Sequence, residues 1–143
     1  FGASQGGVVA SLYAAAYPDR VHKLLLIFPA FVLFDDAKET YRELGSPNFD
    51  QLPDSLTHHN ATLGKIYLID ALGIDIQSEL AKITAPTLII HGTDDAVVPY
   101  QYAVDASQTI PNAELVTVEG GKHRIDQRFA IIAAPAIQKF LKE

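Results

Sequence analysis

Two short apolar runs bounded by turn residues constrain this 143-residue chain more than any other feature: His22–Phe28 (HKLLLIF) and Ala85–Gly92 (APTLIIHG). A strand with one face in water alternates apolar with polar residues. A nearly continuous run of this length reads instead as a strand buried on both faces, the condition of a parallel sheet covered by helices. Glu114–Val118 (ELVTV) is a third expected strand. Helix signals separate them: Val8–Tyr17, closed by Tyr17-Pro18-Asp19; Pro99–Ile110, with Pro at its start and Pro111-Asn112 after its end; and amphipathic Ile125–Leu141, with Pro135 as an expected kink. Strands alternating with helices predict an α/β fold, a parallel sheet with flanking helices and right-handed crossovers. Residues 30–77 break the pattern. They are richer in Asp, Glu, Pro, Asn and Gly, with scattered aromatics and weak periodicity, and are expected to form an inserted cap of short helices and loops.

Composition removes several classes of function. Apolar residues make up 48% and charged residues 20%, with seven Phe and six Tyr for a core, which excludes a disordered tail. No apolar run approaches the ~20 residues of a membrane span, and no membrane partner is expected. The absence of cysteine excludes a disulfide scaffold, a cysteine-based zinc site and a thiol nucleophile. A net charge of −6 without a basic cluster argues against nucleic acid as a partner. No basic segment followed by an apolar one opens the chain, so a cytoplasmic location is expected and the sequon at Asn60-Ala61-Thr62 carries no weight. The sequence starts at Phe1 and contains no Met, from which the expectation is that an N-terminal portion is missing.

Gly2-Ala3-Ser4-Gln5-Gly6 has the form G-x-S-x-G and opens the first helical stretch. A serine on a sharp strand-to-helix turn needs neighbours without Cβ atoms, and its hydroxyl then projects beside backbone N–H groups that favour a developing oxyanion. A serine hydroxyl is a weak nucleophile until a base takes its proton, and the base needs an acid to orient it. Both residue types lie just past strand ends: His91-Gly92-Thr93-Asp94-Asp95 after the second strand, and Gly120-Gly121-Lys122-His123 after the third. In open α/β sheets, sites gather at the carboxyl ends of strands. Ser4, an Asp at 94 or 95 and His123 are therefore expected to converge.

With these residues the chain resembles the C-terminal part of an α/β-hydrolase, and within that superfamily it is similar to bacterial cinnamoyl (feruloyl) ester hydrolases. The matching stretches are Ser4–Ser11, Tyr17-Pro18-Asp19, Thr62-Leu63-Gly64, Ile66-Tyr67-Leu68 and His91–Asp95, and the similarity runs nearly end to end. It implies one partial α/β-hydrolase domain over residues 1–143, starting at the nucleophile elbow, with the cap at 30–77 inserted. It places about 100 residues, including the strand into the elbow and the loop with a second oxyanion donor, before this point. The pattern H-G-x-x-D-x-x-V-P assigns the acid to Asp95, with Ser4 as nucleophile, His123 as base and the Gln5 backbone N–H as one oxyanion donor. In the cap it implies Asp36 and Tyr67 as contacts for the phenolic end of a hydroxycinnamate, and Phe31, Phe34, Tyr41, Phe49 and Tyr67 could line an apolar slot. Two departures bear on specificity: Ala3 stands where the family often has His, and Arg124-Ile125-Asp126 follows His123.

The function implied is hydrolysis of a small-molecule carboxylic ester through an acyl-enzyme, without a cofactor. Monoacylglycerols, thioesters and peptide N-termini are rival substrates, and a catalytically incomplete remnant acting as a binding module is the rival from another class. His22 flanks a strand, His58 and His59 fall in the cap, and His91 is expected to help hold the turn before the acid. No histidine pair has metal-ligand helical spacing, so no metal is expected. A homodimer is left open, and loss of central strands would predict an exposed sheet edge and aggregation of the isolated chain.

Overall fold

The two apolar runs become neighbouring strands of one sheet. The computed structural model describes residues 1–58 and 60–143, so His59 lies outside the described residues. In chain order the elements are β1 (Gly2–Ala3), α1 (Gln5–Ala16), β2 (Leu24–Ile27), α2 (Leu33–Glu43), β3 (Ser55–His58), β4 (Ala61–Gly64), α3 (Lys65–Leu72), α4 (Ile76–Leu80), β5 (Thr87–Gly92), α5 (Gln101–Thr109), β6 (Ala113–Val118) and α6 (Gln127–Lys142). The fold is α/β. The chain divides into two compact units, Phe1–Phe31 with Gln77–Glu143, and Val32–Ile76.

The first unit holds a parallel sheet in the order β1-β2-β5-β6. All four strands run the same way, so their carboxyl ends share one edge. Leu24–Ile27 pair with Thr87–Ile90, and all six residues of β5 are buried, as a doubly covered strand requires. Ile27, Leu88, Ile90 and Val118 pack against Phe129, Ala133 and Phe140 of α6. That helix starts at Gln127 because Asp126 caps it, accepting the Phe129 N–H at 3.0 Å. One expectation needs correction. The strand into Ser4 is not wholly outside the chain, since Gly2 and Ala3 pair in parallel with Leu26 and Ile27 as β1.

The second unit contains a feature absent from the sequence reading, an antiparallel hairpin of β3 and β4 with Leu56 opposite Leu63. Asn60, at φ 64°, stands in its connection, a conformation asparagine tolerates better than most residues. Tyr41 donates its hydroxyl hydrogen to Pro47 O at 2.7 Å and packs edge-on against Phe49. Among the described residues, no helix is long and apolar enough to cross a membrane.

Candidate active site

Ser4 sits at the junction of β1 and α1 with φ 51° and ψ −124°, a conformation strained for any residue with a Cβ. The ladder holds it there. Its N–H donates to Ile27 O at 3.0 Å, and its carbonyl accepts the N–H groups of Gly7 at 2.9 Å and Ala30 at 3.0 Å. Only some of the surrounding glycines are needed for this turn. A Cβ on Gly2 would lie 2.2 Å from Gly6 O, and one on Gly7 would lie 2.9 Å from Pro29 Cβ, whereas one on Gly6 would meet nothing within 4 Å. Gln5 is the first residue of α1, which places its N–H at the helix end where backbone donors face outward.

Ser4, Asp95 and His123, the last 119 residues from the first, meet at the carboxyl edge of the sheet. His123 Nε2 lies 2.9 Å from Ser4 Oγ, and His123 Nδ1 lies 2.7 Å from Asp95 Oδ2. A carboxylate can only accept, so Nδ1 carries the hydrogen and Nε2 is left to receive the Ser4 hydroxyl proton. The Asp95 side chain is fully buried, and its Oδ1 accepts the N–H groups of Val97 at 2.9 Å and Val98 at 2.8 Å. Neighbouring Asp94 is exposed and near Thr93 instead. The loops bearing Asp95 and His123 are fastened together. Thr93 N–H donates to Val118 O, Asp94 N–H to Gly121 O and Gly120 N–H to Thr93 Oγ1. Gly92 and Gly121 touch so closely that a Cβ on Gly92 would lie 2.1 Å from Gly121 O.

One residue at this site, Phe28, escapes sequence reasoning. Phe28 places its ring 4.4 Å from that of His123 and stands at φ 35°, although the proline after it favours an extended conformation. His91 is completely buried, with Nε2 3.2 Å from Asp95 Oδ2. It is the histidine expected to help hold the turn before the acid, and its Nε2 lies 2.9 Å from Val98 O in that turn. Arg124 donates from Nε to Asp126 Oδ2 and is mostly exposed. No group of three His, Asp or Glu residues able to hold a metal occurs among the described residues.

Asp36 and Tyr67 lie together in the second unit, in a pocket lined also by Leu33, Leu56, Leu63 and Leu68. Burial, and next the charge of Asp36, hold the Tyr67 phenol above its ordinary value of 10.0, so it remains a proton donor through neutral pH. Of the five aromatics expected to line an apolar slot, Tyr67 lines this pocket and Phe31 is buried in the first unit. Phe34 is buried and Tyr41 pairs with Phe49, and none of these three lines the pocket, whose apolar wall is leucine.

The profile of the family described as serine aminopeptidase, S33, matches residues 50–126, 77 of the 143 residues. The chain belongs to this α/β-hydrolase family. Among its relatives, the non-heme chloroperoxidase CPO-A1 of Kitasatospora aureofaciens is 45% identical over 64 residues, covering 43% of this chain and 23% of that protein. Est1E from Butyrivibrio proteoclasticus superposes with a TM-score of 0.84 at 31% identity, covering 99% of this chain and 59% of that one. A second Est1E structure, with ferulic acid bound, gives a TM-score of 0.82 at 29% identity over the same shares. This S33-family chain thus spans about a quarter of the length of its first sequence relatives and three-fifths of Est1E.

Proposed function

We propose that the protein carrying this chain is a serine hydrolase that cleaves carboxylic esters, with Ser4, His123 and Asp95 as its catalytic triad. The observation that carries this reading is the continuous relay from Ser4 Oγ through His123 to the buried Asp95 carboxylate, at 2.9 Å and 2.7 Å. Ser4 Oγ attacks the ester carbonyl carbon while His123 Nε2 takes its proton. The carbonyl oxygen becomes an oxyanion facing the Gln5 N–H. Collapse breaks the ester C–O bond, and His123 returns the proton to the departing alkoxide. Water then repeats the sequence on the acyl-enzyme, releasing the acid and restoring Ser4. Asp95 stays ionised throughout, holding the Nδ1–H tautomer and stabilising the imidazolium.

For the acyl group we favour hydroxycinnamates such as ferulate, with Asp36 and Tyr67 as partners of the phenolic hydroxyl. Two things support this: the likeness to Est1E, which has been seen with ferulic acid, and a leucine-walled pocket that pairs an acceptor with a phenol donor. No cofactor is required by the chemistry, and the cytoplasm is the proposed location. The test is a fluorophosphonate probe followed by peptide mapping, with turnover of feruloyl and butyryl esters alongside. Ser4 should carry the label, and Ser4→Ala should lose it together with about 10⁴-fold or more of ester turnover. Labelling elsewhere, or full turnover by Ser4→Ala, overturns the assignment.

A further inference from the structure

His91 is a fully buried histidine, at the end of β5, to which the relay above assigns no task. Its Nε2 lies 2.9 Å from Val98 O and 3.2 Å from Asp95 Oδ2. Both oxygens are acceptors, so the ring hydrogen resides on Nε2. Nδ1 is buried and has no hydrogen-bond partner among the described residues. Val98 closes a ring of contacts, because its N–H donates to Asp95 Oδ1 at 2.8 Å while its carbonyl faces His91. On the other side the Tyr100 ring packs edge-on against the imidazole at 5.9 Å, and the Tyr100 hydroxyl is hydrogen-bonded to Thr117 of β6. The ring can therefore neither turn nor exchange its nitrogens without losing its partners.

We propose that His91 is a positioning residue for the hydrolysis reaction: a permanently neutral imidazole whose Nε2–H is shared between Val98 O and Asp95 Oδ2, fixing the carboxylate that orients His123. Charging His91 would put a second N–H on Nδ1, where no acceptor waits, inside a fully buried site. Burial is the main influence on its titration and lowers it below the ordinary 6.5, against the opposing pull of Val98 O and Asp95; the nearby His123 lowers it further. A neutral donor suits the task. It satisfies a lone pair of Asp95 without the competing positive charge that would weaken the hold of the carboxylate on the His123 imidazolium. Besides holding the turn through Val98 O, the histidine thus acts on the electrostatics of the acid itself.

The inference rests on the hydrolase reading, and two measurements separate their fates. In the unmodified protein, nitrogen-15 NMR of the imidazoles should find His91 neutral with its hydrogen on Nε2 at pH 6, where an ordinary histidine with a pKa of about 6.5 is mostly charged. A cationic His91, or a hydrogen on Nδ1, overturns the inference whether or not the protein is active. In the second measurement, p-nitrophenyl butyrate turnover is followed against pH for His91→Phe and His91→Gln. Loss of the N–H donated to a carboxylate should lower kcat about tenfold or more with KM nearly unchanged. The acid limb of kcat/KM should also move to higher pH, because Oδ2, no longer shared, grips the His123 proton more tightly. The glutamine amide can replace the Nε2–H and should recover most of both effects. A folded His91→Phe protein with the original kcat and pH profile overturns the inference while leaving the triad intact. If neither variant folds, the NMR result decides.

Discussion

Ser4 places a Cβ where the backbone penalises one, at φ 51° and ψ −124°, and the parallel ladder and two bonds to its carbonyl hold it there. Such strain costs about 1–3 kcal/mol, against about 0.5–1 kcal/mol for the extra freedom of an unfolded glycine. Ser4→Gly should therefore raise stability by about 1 kcal/mol, near 3 °C in Tm, while ending fluorophosphonate labelling. A calorimetric scan showing a lower Tm would mean that the hydroxyl contributes more than the strain takes away. The same scale explains a limit of motif reading. G-x-S-x-G treats its two glycines alike, yet the backbone of Gly6 occupies the space beside Gly2, while nothing in the structure crowds Gly6. Gly2→Ala should cost more than about 3 kcal/mol in denaturant unfolding, whereas Gly6→Ala, uncrowded within α1, should keep or raise stability by up to about 1 kcal/mol. Similar losses for both would show that the elbow is not shaped by this contact. Phe28 marks the other limit, since its φ of 35° and its place beside the His123 ring arise from tertiary packing that no local pattern encodes.

At the level of elements, legibility followed the number of residues carrying a signal. Strands β2 and β5 announced themselves because burial on both faces leaves little room for polar residues. The β3–β4 hairpin did not, because each four-residue strand contributes one large apolar residue, Leu56 or Leu63, too few to establish a period of two. Helix α6 was visible from its amphipathic face, and its start is decided by Asp126. The Phe129 N–H first, and the Arg124 guanidinium after it, hold the Asp126 carboxyl below its ordinary 3.8. A depressed folded pKa gives stability that is present above pH 3.8 and lost as pH falls through the folded value. Asp126→Asn should thus lower Tm at pH 7 and converge on the original protein below about pH 3.8; a gap unchanged across that range would exclude the charge as its source. In the same helix Pro135 is exposed and cannot donate to the carbonyl one turn back. Pro135→Ala should add about 1–2 kcal/mol after the cost of a freer unfolded chain, measured by urea unfolding. A loss instead would show that packing makes use of a proline-shaped backbone.

Across the molecule, the order of strands does what no local motif can. Parallel strands with their carboxyl ends on one edge carry Ser4, Asp95 and His123 to a common place, and the direct contact of Gly92 with Gly121 sets how near the loops of Asp95 and His123 lie. Alternation of strand and helix signals was enough to expect that convergence. The pocket was less readable, because its leucine wall is drawn from α2, the hairpin and α3 and has no continuous trace in the sequence. The proposed division of labour gives the first unit the bond cleavage and the second the choice of acyl group. Tyr67 is the sharper probe of it, since its phenol, held above its ordinary value of 10.0, is a donor throughout a normal assay range. Tyr67→Phe removes one hydrogen-bonding hydroxyl and keeps the ring, so the ratio of kcat/KM for a feruloyl ester to that for a butyryl ester should fall about tenfold. A proportional loss on both esters would instead place Tyr67 in the support of the fold, and the hydroxycinnamate reading would lose its principal residue while the chemistry at Ser4 stood.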